Sequence, residues 1–220
     1  MVEARSSATT RLTDCRLYLC TSDRPDLEDF LNTCIDGGVD LVQLREKRLD
    51  ARPLLHRASI AVRVCHQRRV PFILNDRPDL ALECGADGVH VGQDDAPARL
   101  ARQILGPAAI VGLSTHAPAE LDAAMAEPVD YLSAGPVYPT PTKPGRPGTG
   151  LAYLGYVAAR TASPWFVTGG VNPETVGPMV ASGARRFVVV RYLTDARDPR
   201  ESAQRLSDAI GQAIERAAGP

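Results

Sequence analysis

The sequence lacks the features that would place it in several common classes of protein. Its 25 basic and 26 acidic residues leave a net charge of −1, whereas a general nucleic-acid or anionic-membrane binder usually carries a basic excess. No stretch approaches the roughly 20 apolar residues of a membrane span. The cysteines are odd in number and have no Cys-x-x-Cys spacing, which argues against a disulfide framework or a zinc knuckle and favours a reducing, cytoplasmic location: Cys15, Cys20, Cys34, Cys65 and Cys84.

Several catalytic motifs are also missing. The sequence contains no P-loop, no Gly-x-Gly-x-x-Gly fingerprint, no nucleophile elbow and no Ser/His/Asp arrangement. No His/Cys ligand set has the spacing of a zinc site. The polar N-terminus has no apolar core of a signal peptide, so we predict a disordered lead-in over residues 1–12 and one catalytic domain over 13–220.

Short apolar runs rich in branched residues alternate with helix-like stretches along the chain. Such runs are typical of strands buried on both faces of a parallel sheet. Eight strands with eight helices predict a single α/β domain folded as a (β/α)₈ TIM barrel, and a doubly wound open sheet is the structural alternative. The strands are predicted at 17–19, 41–42, 72–74, 88–91, 110–113, 131–132, 165–167 and 187–190, and the helices at 27–35, 54–66, 78–84, 97–105, 117–125, 151–160, 173–181 and 201–217.

Polar residues follow the second predicted strand. Gln43, Arg45 and Lys47 alternate along the chain, so in an extended strand their side chains point the same way. Two cations and one amide that converge at a strand end suit an anionic group attached to a hydrogen-bonding ring. The alternative is a strand that simply runs out into solvated charges.

Carboxylates follow the third and fourth predicted strands. Asn75 and Asp76 end one strand, and Asp94 and Asp95 follow the other. The carboxyl ends of barrel strands form the active-site face, and Mg²⁺ is usually held by one or two carboxylates together with substrate oxygens and water. The alternatives are an Asx turn at Asp76 and a helix N-cap at Asp94 or Asp95 ahead of Pro97.

Three further strand ends carry candidate ligand groups. Ser114 follows the fifth strand, and Gly169-Gly170 precede a helix start at which barrel enzymes commonly bind phosphate. The loop 134–150 after the sixth strand is longer than most connections and carries Thr140, Thr142 and Lys143. The alternatives are a tight glycine turn and a proline-stiffened linker. His90 lies within the fourth strand, and we interpret it as a structural barrel histidine.

The ordered set of these motifs resembles the thiamine-phosphate synthase family. The resemblance covers nearly the whole chain, and its two most specific segments are Gln-x-Arg-x-Lys and Pro-Thr-x-Thr-Lys. The matching residues are Gln43-x-Arg45-x-Lys47, Asn75-Asp76, the run 88–95, Gly112-Leu113-Ser114, Gly135-Pro136-Val137-Tyr138-Pro139-Thr140-x-Thr142-Lys143 and Gly169-Gly170-Val171.

The resemblance implies a reaction and a set of site residues. A pyrimidine diphosphate would lose pyrophosphate by a dissociative route, and the nitrogen of a thiazole phosphate would take its place to give thiamine monophosphate. The implied catalytic residues are Arg45, Lys47, Ser114 and Lys143. The implied substrate-binding residues are Gln43, Arg45, Lys47, Asn75, Ser114, Thr140, Thr142, Lys143 and Gly170. The implied ligands of a Mg²⁺ cofactor are Asp76 and Asp95, with Asp95 favoured over Asp94 by the resemblance alone.

One position departs from the family pattern, and two other functions stay open. Where many members have a serine after the eighth strand, this chain has Arg191, whose role the sequence leaves undecided. The alternatives are a thiazole tautomerase-like protein and a non-catalytic barrel that binds thiazole phosphate. The expected partners are the two small-molecule substrates, with neither nucleic acid nor membrane, and a homo-oligomer stays possible.

Overall fold

The computed structural model describes residues 12–140 and 147–219 of the chain. Eight parallel strands follow one another round a closed barrel, and β8 pairs with β1 to complete it. The strands are β1 (Leu17–Thr21), β2 (Leu41–Leu44), β3 (Phe72–Asn75), β4 (Gly88–Val91), β5 (Ile110–Thr115), β6 (Tyr131–Ala134), β7 (Trp165–Val167) and β8 (Phe187–Val189). The predicted TIM barrel is therefore confirmed, and the open-sheet alternative is wrong.

Helices surround the barrel and connect its strands. They are α1 (Leu27–Asp36), α2 (Ala51–Gln67), α3 (Pro78–Cys84), α4 (Ala98–Leu105), α5 (Pro118–Ala124), α6 (Gly150–Arg160), α7 (Pro173–Ala181), α8 (Arg191–Thr194) and α9 (Pro199–Ala218). All eight predicted helices are present, and α8 is an additional short helix that the sequence pattern did not predict. Within the described ranges, no helix has the length and apolarity of a membrane span.

The hydrophobic core has two parts. The larger one lies between the strands and the surrounding helices. The smaller one fills the barrel interior and contains Tyr18, Tyr131 and Phe166, whose rings meet edge to face. Leu12 is fully buried in this inner cluster, so the packed chain includes it. The predicted lead-in otherwise lies outside the described residues and stays a prediction.

Strand register positions the polar residues at one end of the barrel. In β5, Gly112 faces the barrel interior, and a Cβ atom there would lie 2.1 Å from Cζ of Tyr131. Glycine at this position therefore gives the Tyr131 ring the room it needs to lie across the barrel. The carboxyl ends of all eight strands open on the same face, and the loops that follow them form the walls of the candidate site.

Candidate active site

A cavity of about 650 Å³ opens at the carboxyl ends of the strands. Eleven residues were predicted to form the site, and the nine of them that the structure describes all line this cavity: Gln43, Arg45, Lys47, Asn75, Asp76, Asp95, Ser114, Thr140 and Gly170. The other two, Thr142 and Lys143, lie outside the described residues. The structure thus brings together residues from the ends of β2 to β7.

One wall of the cavity combines a cation with two carboxylates. Lys47 Nζ lies 2.8 Å from Asp76 Oδ2 and 4.0 Å from Asp95 Oδ1. Because β2 ends at Leu44, Arg45 and Lys47 lie in the loop beyond the strand rather than within it. Both nevertheless line the cavity, as predicted. The predicted reason, alternation along an extended strand, does not apply to them because the strand ends before Arg45.

The two carboxylates influence each other's protonation. Burial raises the pKa of Asp76, and the neighbouring Asp95 raises it further, while Lys47 lowers it without reversing the shift. Burial also acts to raise the pKa of Asp95, but hydrogen bonds from Asp76 and from the Gly92 N–H, with the charges of Lys47 and Arg45, bring it below its usual value. The pair therefore takes up a proton preferentially at Asp76, as expected for two acids that share one site.

The loop after β4 holds Asp95 against the cavity. Its Oδ2 accepts a hydrogen bond from the Gly92 N–H at 2.9 Å. The N-cap of α4 is Pro97, with no side-chain capping bond, so the predicted alternative of Asp94 or Asp95 as the helix cap is wrong. Just beyond the end of β3, the Asp76 carboxylate turns to Lys47, and the Asp76 backbone N–H donates to the His90 carbonyl at 2.8 Å.

The donors on this wall fit a hard divalent cation that shares its coordination with substrate. Two carboxylates meet there, and no group of three His, Cys, Asp or Glu side chains in the described ranges could hold a metal by itself. Magnesium commonly binds to one or two carboxylates while substrate phosphates and water complete its shell. Asp76 and Asp95 therefore suit Mg²⁺ bound together with a phosphorylated ligand.

The cavity floor is lined by buried polar side chains. Gln43, Asn75 and Ser114 are 4%, 7% and 5% exposed. His90 joins its Nε2 to Ser114 Oγ and its Nδ1 to the Tyr131 hydroxyl, each at 2.9 Å. This is the structural role expected for a barrel histidine, although its ring also reaches the cavity wall.

The opposite wall is formed by the ends of β7 and β8. Gly169 and Gly170 have φ values of +91° and +74°, a conformation that favours glycine, and they turn the backbone along the cavity. The Asn172 side chain caps α7 by accepting from the Glu174 and Thr175 N–H groups. Arg191, the position that departs from the family pattern, begins α8 and lines the cavity beside this turn.

Comparison with known proteins identifies the family to which the chain belongs. The family model described as thiamine monophosphate synthase matches residues 17–193. The chain belongs to that family. It is 48% identical to the thiamine-phosphate synthase of Thermobifida fusca over 202 residues, which cover 89% of this chain and 92% of the relative. It is 45% identical to the thiamine-phosphate synthase of Mycobacterium sp. (strain JLS) over 212 residues, covering 90% and 94%.

A solved structure of the same family has the same architecture. The thiamine phosphate pyrophosphorylase from Pyrococcus furiosus superposes with a TM-score of 0.83 at 26% identity, over 94% of this chain and 98% of that one. Membership of the thiamine-phosphate synthase family confirms the prediction that the chain is an enzyme of the transferase class.

The structure adds cavity residues that the sequence did not single out. Ser133 and Thr168 face the cavity from β6 and from the end of β7, and an alternation argument applied to those strands could have found them. Gln93 also lines the cavity, and its Nε2 donates to the Ser114 carbonyl at 2.6 Å. Tyr192 and Asp195 reach the cavity from α8 and its C-terminus. No sequence pattern pointed to them, because this helix was not predicted.

Proposed function

We propose that this enzyme condenses 4-amino-2-methyl-5-(diphosphooxymethyl)pyrimidine with 4-methyl-5-(2-phosphooxyethyl)thiazole to give thiamine monophosphate and pyrophosphate. The bond between the exocyclic carbon and the diphosphate oxygen breaks, and its electron pair leaves with pyrophosphate. The lone pair of the thiazole nitrogen then forms the new carbon–nitrogen bond. Atoms and charge balance without a proton transfer, so the reaction needs no general base.

The observation that carries this proposal is the two-sided cavity. One wall presents Arg45 and Lys47 beside the Asp76–Asp95 pair, and the other presents the Gly169-Gly170 turn and Arg191. A diphosphate and a separate monophosphate are the two anionic groups that such an arrangement accommodates. A binding protein for one phosphate would have no use for a carboxylate pair that suits a metal.

The leaving group is stabilised on the first wall. Pyrophosphate departs with about three negative charges, and fixed cations that meet this charge lower the barrier to a dissociative step. Arg45 and Lys47 supply positive charge there, and Lys143 adds to it by the family resemblance. Ser114, on the cavity floor, donates its hydroxyl to a diphosphate oxygen close to the bond that breaks.

Asp76 and Asp95 hold Mg²⁺ in this proposal. The metal, when bound, neutralises phosphate charge and orients the diphosphate. Lys47 lies within ion-pair distance of both carboxylates, which offsets their mutual repulsion.

The two organic rings bind above the cavity floor. Gln43 and Asn75 hydrogen-bond the aminopyrimidine and its diphosphate, since both amides are buried and line the cavity. Thr140 and Gly170 bind the thiazole phosphate, with Thr142 assigned to the same group by resemblance.

A direct assay tests the proposal. Purified protein is mixed with both substrates and MgCl₂, and thiamine monophosphate is quantified by chromatography with and without EDTA. We expect product that disappears with EDTA and returns when Mg²⁺ is added in excess. No product from folded protein would overturn the proposal, and thiazole isomerisation would then be assayed. Product that resists EDTA would overturn only the metal assignment.

A further inference from the structure

A continuous chain of hydrogen bonds crosses the barrel interior beneath the cavity. Gln43 Nε2 donates to the Tyr18 hydroxyl at 2.6 Å, and the Tyr18 and Tyr131 hydroxyls meet at 2.9 Å. The Tyr131 hydroxyl meets His90 Nδ1 at 2.9 Å, and His90 Nε2 meets Ser114 Oγ at 2.9 Å. This hydrogen-bond chain joins residues of five strands, and its two end residues, Gln43 and Ser114, line the cavity.

The two tyrosines in the middle of this hydrogen-bond chain are sealed from solvent, and His90 is largely buried. Tyr18 and Tyr131 are 1% and 0% exposed, and His90 is 8% exposed. Burial raises the pKa of both tyrosines well above the usual value, so each hydroxyl keeps its proton at neutral pH. Each hydroxyl therefore has one proton to donate, and in a dry interior every such proton requires an acceptor.

The orientation of the Gln43 amide fixes the sense of the whole chain. Because Gln43 donates to Tyr18, the assignment that gives every hydroxyl proton an acceptor has Tyr18 donating to Tyr131 and Tyr131 donating to His90 Nδ1. In this assignment His90 carries its proton on Nε2 and donates it to Ser114 Oγ. Ser133 Oγ donates to the same oxygen at 3.4 Å, so the Ser114 proton is left to point into the cavity.

The other end of the amide is fixed in the same way. Gln43 Oε1 accepts from Cys20 Sγ at 3.3 Å, at a point where both side chains line the cavity. If every bond of the hydrogen-bond chain ran in the opposite donor-to-acceptor direction, the Gln43 amide would have to flip. Gln43 would then present N–H groups to the cavity, and Ser114 would present only lone pairs. The two cavity residues are thus linked: one is an acceptor when the other is a donor.

We propose that Tyr18, Tyr131 and His90 are positioning residues that hold Gln43 as an acceptor and Ser114 as a donor toward the pyrimidine diphosphate. The inference rests on the proposed function. An exocyclic amino group needs an acceptor, and a diphosphate oxygen needs a donor, so one sense of the chain serves both ends of one substrate. The tyrosines act through Gln43 and Ser114 and do not line the cavity themselves.

The first test removes the central hydroxyl of the hydrogen-bond chain. Tyr131→Phe removes both of its hydroxyl bonds and keeps the ring against Phe166. We expect kcat/KM for the pyrimidine diphosphate to fall about ten-fold, with KM for the thiazole phosphate within two-fold of wild type. The matched control is Tyr153→Phe, which removes another buried hydroxyl bond, to Thr115 Oγ1 at 2.7 Å, away from the cavity. The control should keep wild-type kinetics.

A double-mutant cycle separates positioning from a structural effect. In the Ser114→Ala background only the Gln43 end of the hydrogen-bond chain is left to act, so Tyr131→Phe should lower kcat/KM by less than three-fold. If the Tyr131→Phe and Ser114→Ala effects multiply, or if both KM values rise together, the proposal is overturned. Should Tyr131→Phe fail to fold, Tyr18→Phe removes the hydroxyl that accepts from Gln43 Nε2, and the same fall in kcat/KM for the pyrimidine diphosphate is expected through Gln43.

The second test uses the unmodified protein. The proposal requires neutral His90 with its proton on Nε2, and ¹⁵N NMR distinguishes the two neutral forms, with the signal assigned by its loss in His90→Gln. A proton on Nδ1 would overturn the proposal even if the kinetics agreed. This measurement needs no turnover. A wild-type protein that makes no product therefore refutes the proposed function, while the NMR result alone decides the sense of the chain.

Discussion

The substitution Asp76→Asn removes one of the two carboxylates proposed to hold Mg²⁺ and leaves the backbone intact. Asp76 has a φ of +62°, a left-handed conformation that asparagine adopts more readily than alanine. Its backbone N–H donates to the His90 carbonyl at 2.8 Å, a bond that the substitution keeps. Asparagine therefore isolates the loss of charge from strain in the turn.

The expected effects on stability and on activity differ in size. The Lys47–Asp76 ion pair is 2.8 Å long, but the lysine side chain is 48% exposed, so its loss changes the free energy of unfolding by less than about 1 kcal/mol. Burial and the Asp95 charge already raise the pKa of Asp76, which further reduces what its charge contributes to folding. A metal that stabilises developing phosphate charge contributes several kcal/mol, so turnover at fixed Mg²⁺ should fall about 100-fold or more.

The assay measures thiamine monophosphate formation against Mg²⁺ concentration for wild type and Asp76→Asn. We expect the variant curve to shift to higher Mg²⁺, with urea midpoints nearly equal. Asp94→Asn is the matched control, because Asp94 also lines the cavity but is not an assigned ligand, and it should stay within about three-fold of wild type. Wild-type turnover with an unchanged Mg²⁺ curve in Asp76→Asn would refute the metal assignment.

Three further predictions follow from other parts of the molecule. Gly112→Ala would place Cβ 2.1 Å from Cζ of buried Tyr131, so urea unfolding should show a loss of about 3 kcal/mol, and an unchanged midpoint would refute the packing argument. Burial raises the pKa of Asp40 from 3.8 to about 6. The protonated Asp40 carboxyl therefore contributes its full share of the free energy of unfolding below about pH 4, and this contribution falls by about 3 kcal/mol as the pH rises through 6. That fall should appear in the stability of wild type relative to Asp40→Asn, and a constant difference from pH 4 to 7 would contradict it. Arg191→Ala should raise KM for thiazole phosphate about ten-fold, whereas the exposed Arg197→Ala should not; equal KM values in both variants would remove Arg191 from the phosphate site.

The order of strands and helices was predictable because each strand is buried on both faces. A strand of this kind is a short apolar run in the sequence, and all eight runs became barrel strands. Helix α8 could not be predicted in the same way. Its four residues are too few to show a helical period, and its position depends on where β8 ends. The cavity residues that α8 carries were missed for the same reason.

The candidate site was predictable where chemistry sits directly at a strand end. Asn75, Asp76 and Ser114 lie at or beside the ends of β3 and β5, so locating the strands located them as well. Tyr18 and Tyr131 gave no such signal, because each lies in an apolar run and looks like an ordinary core aromatic. Their contact joins residues 113 positions apart and depends on the size and register of the closed barrel, which local sequence does not specify.

The inner hydrophobic cluster and the hydrogen-bond chain share two side chains, Tyr18 and Tyr131. The rings of Tyr18 and Tyr131 pack with Phe166 in the inner hydrophobic cluster, while their hydroxyls connect Gln43 to Ser114. Replacement by leucine would disturb both roles, and the lower activity could then be attributed to either. Phenylalanine keeps the ring contacts and removes only the hydroxyl, so an activity loss in a fully stable phenylalanine variant would isolate the polar role. Because the apolar part of each ring closes the barrel from within, we expect the fold to tolerate this replacement better than the catalytic site does.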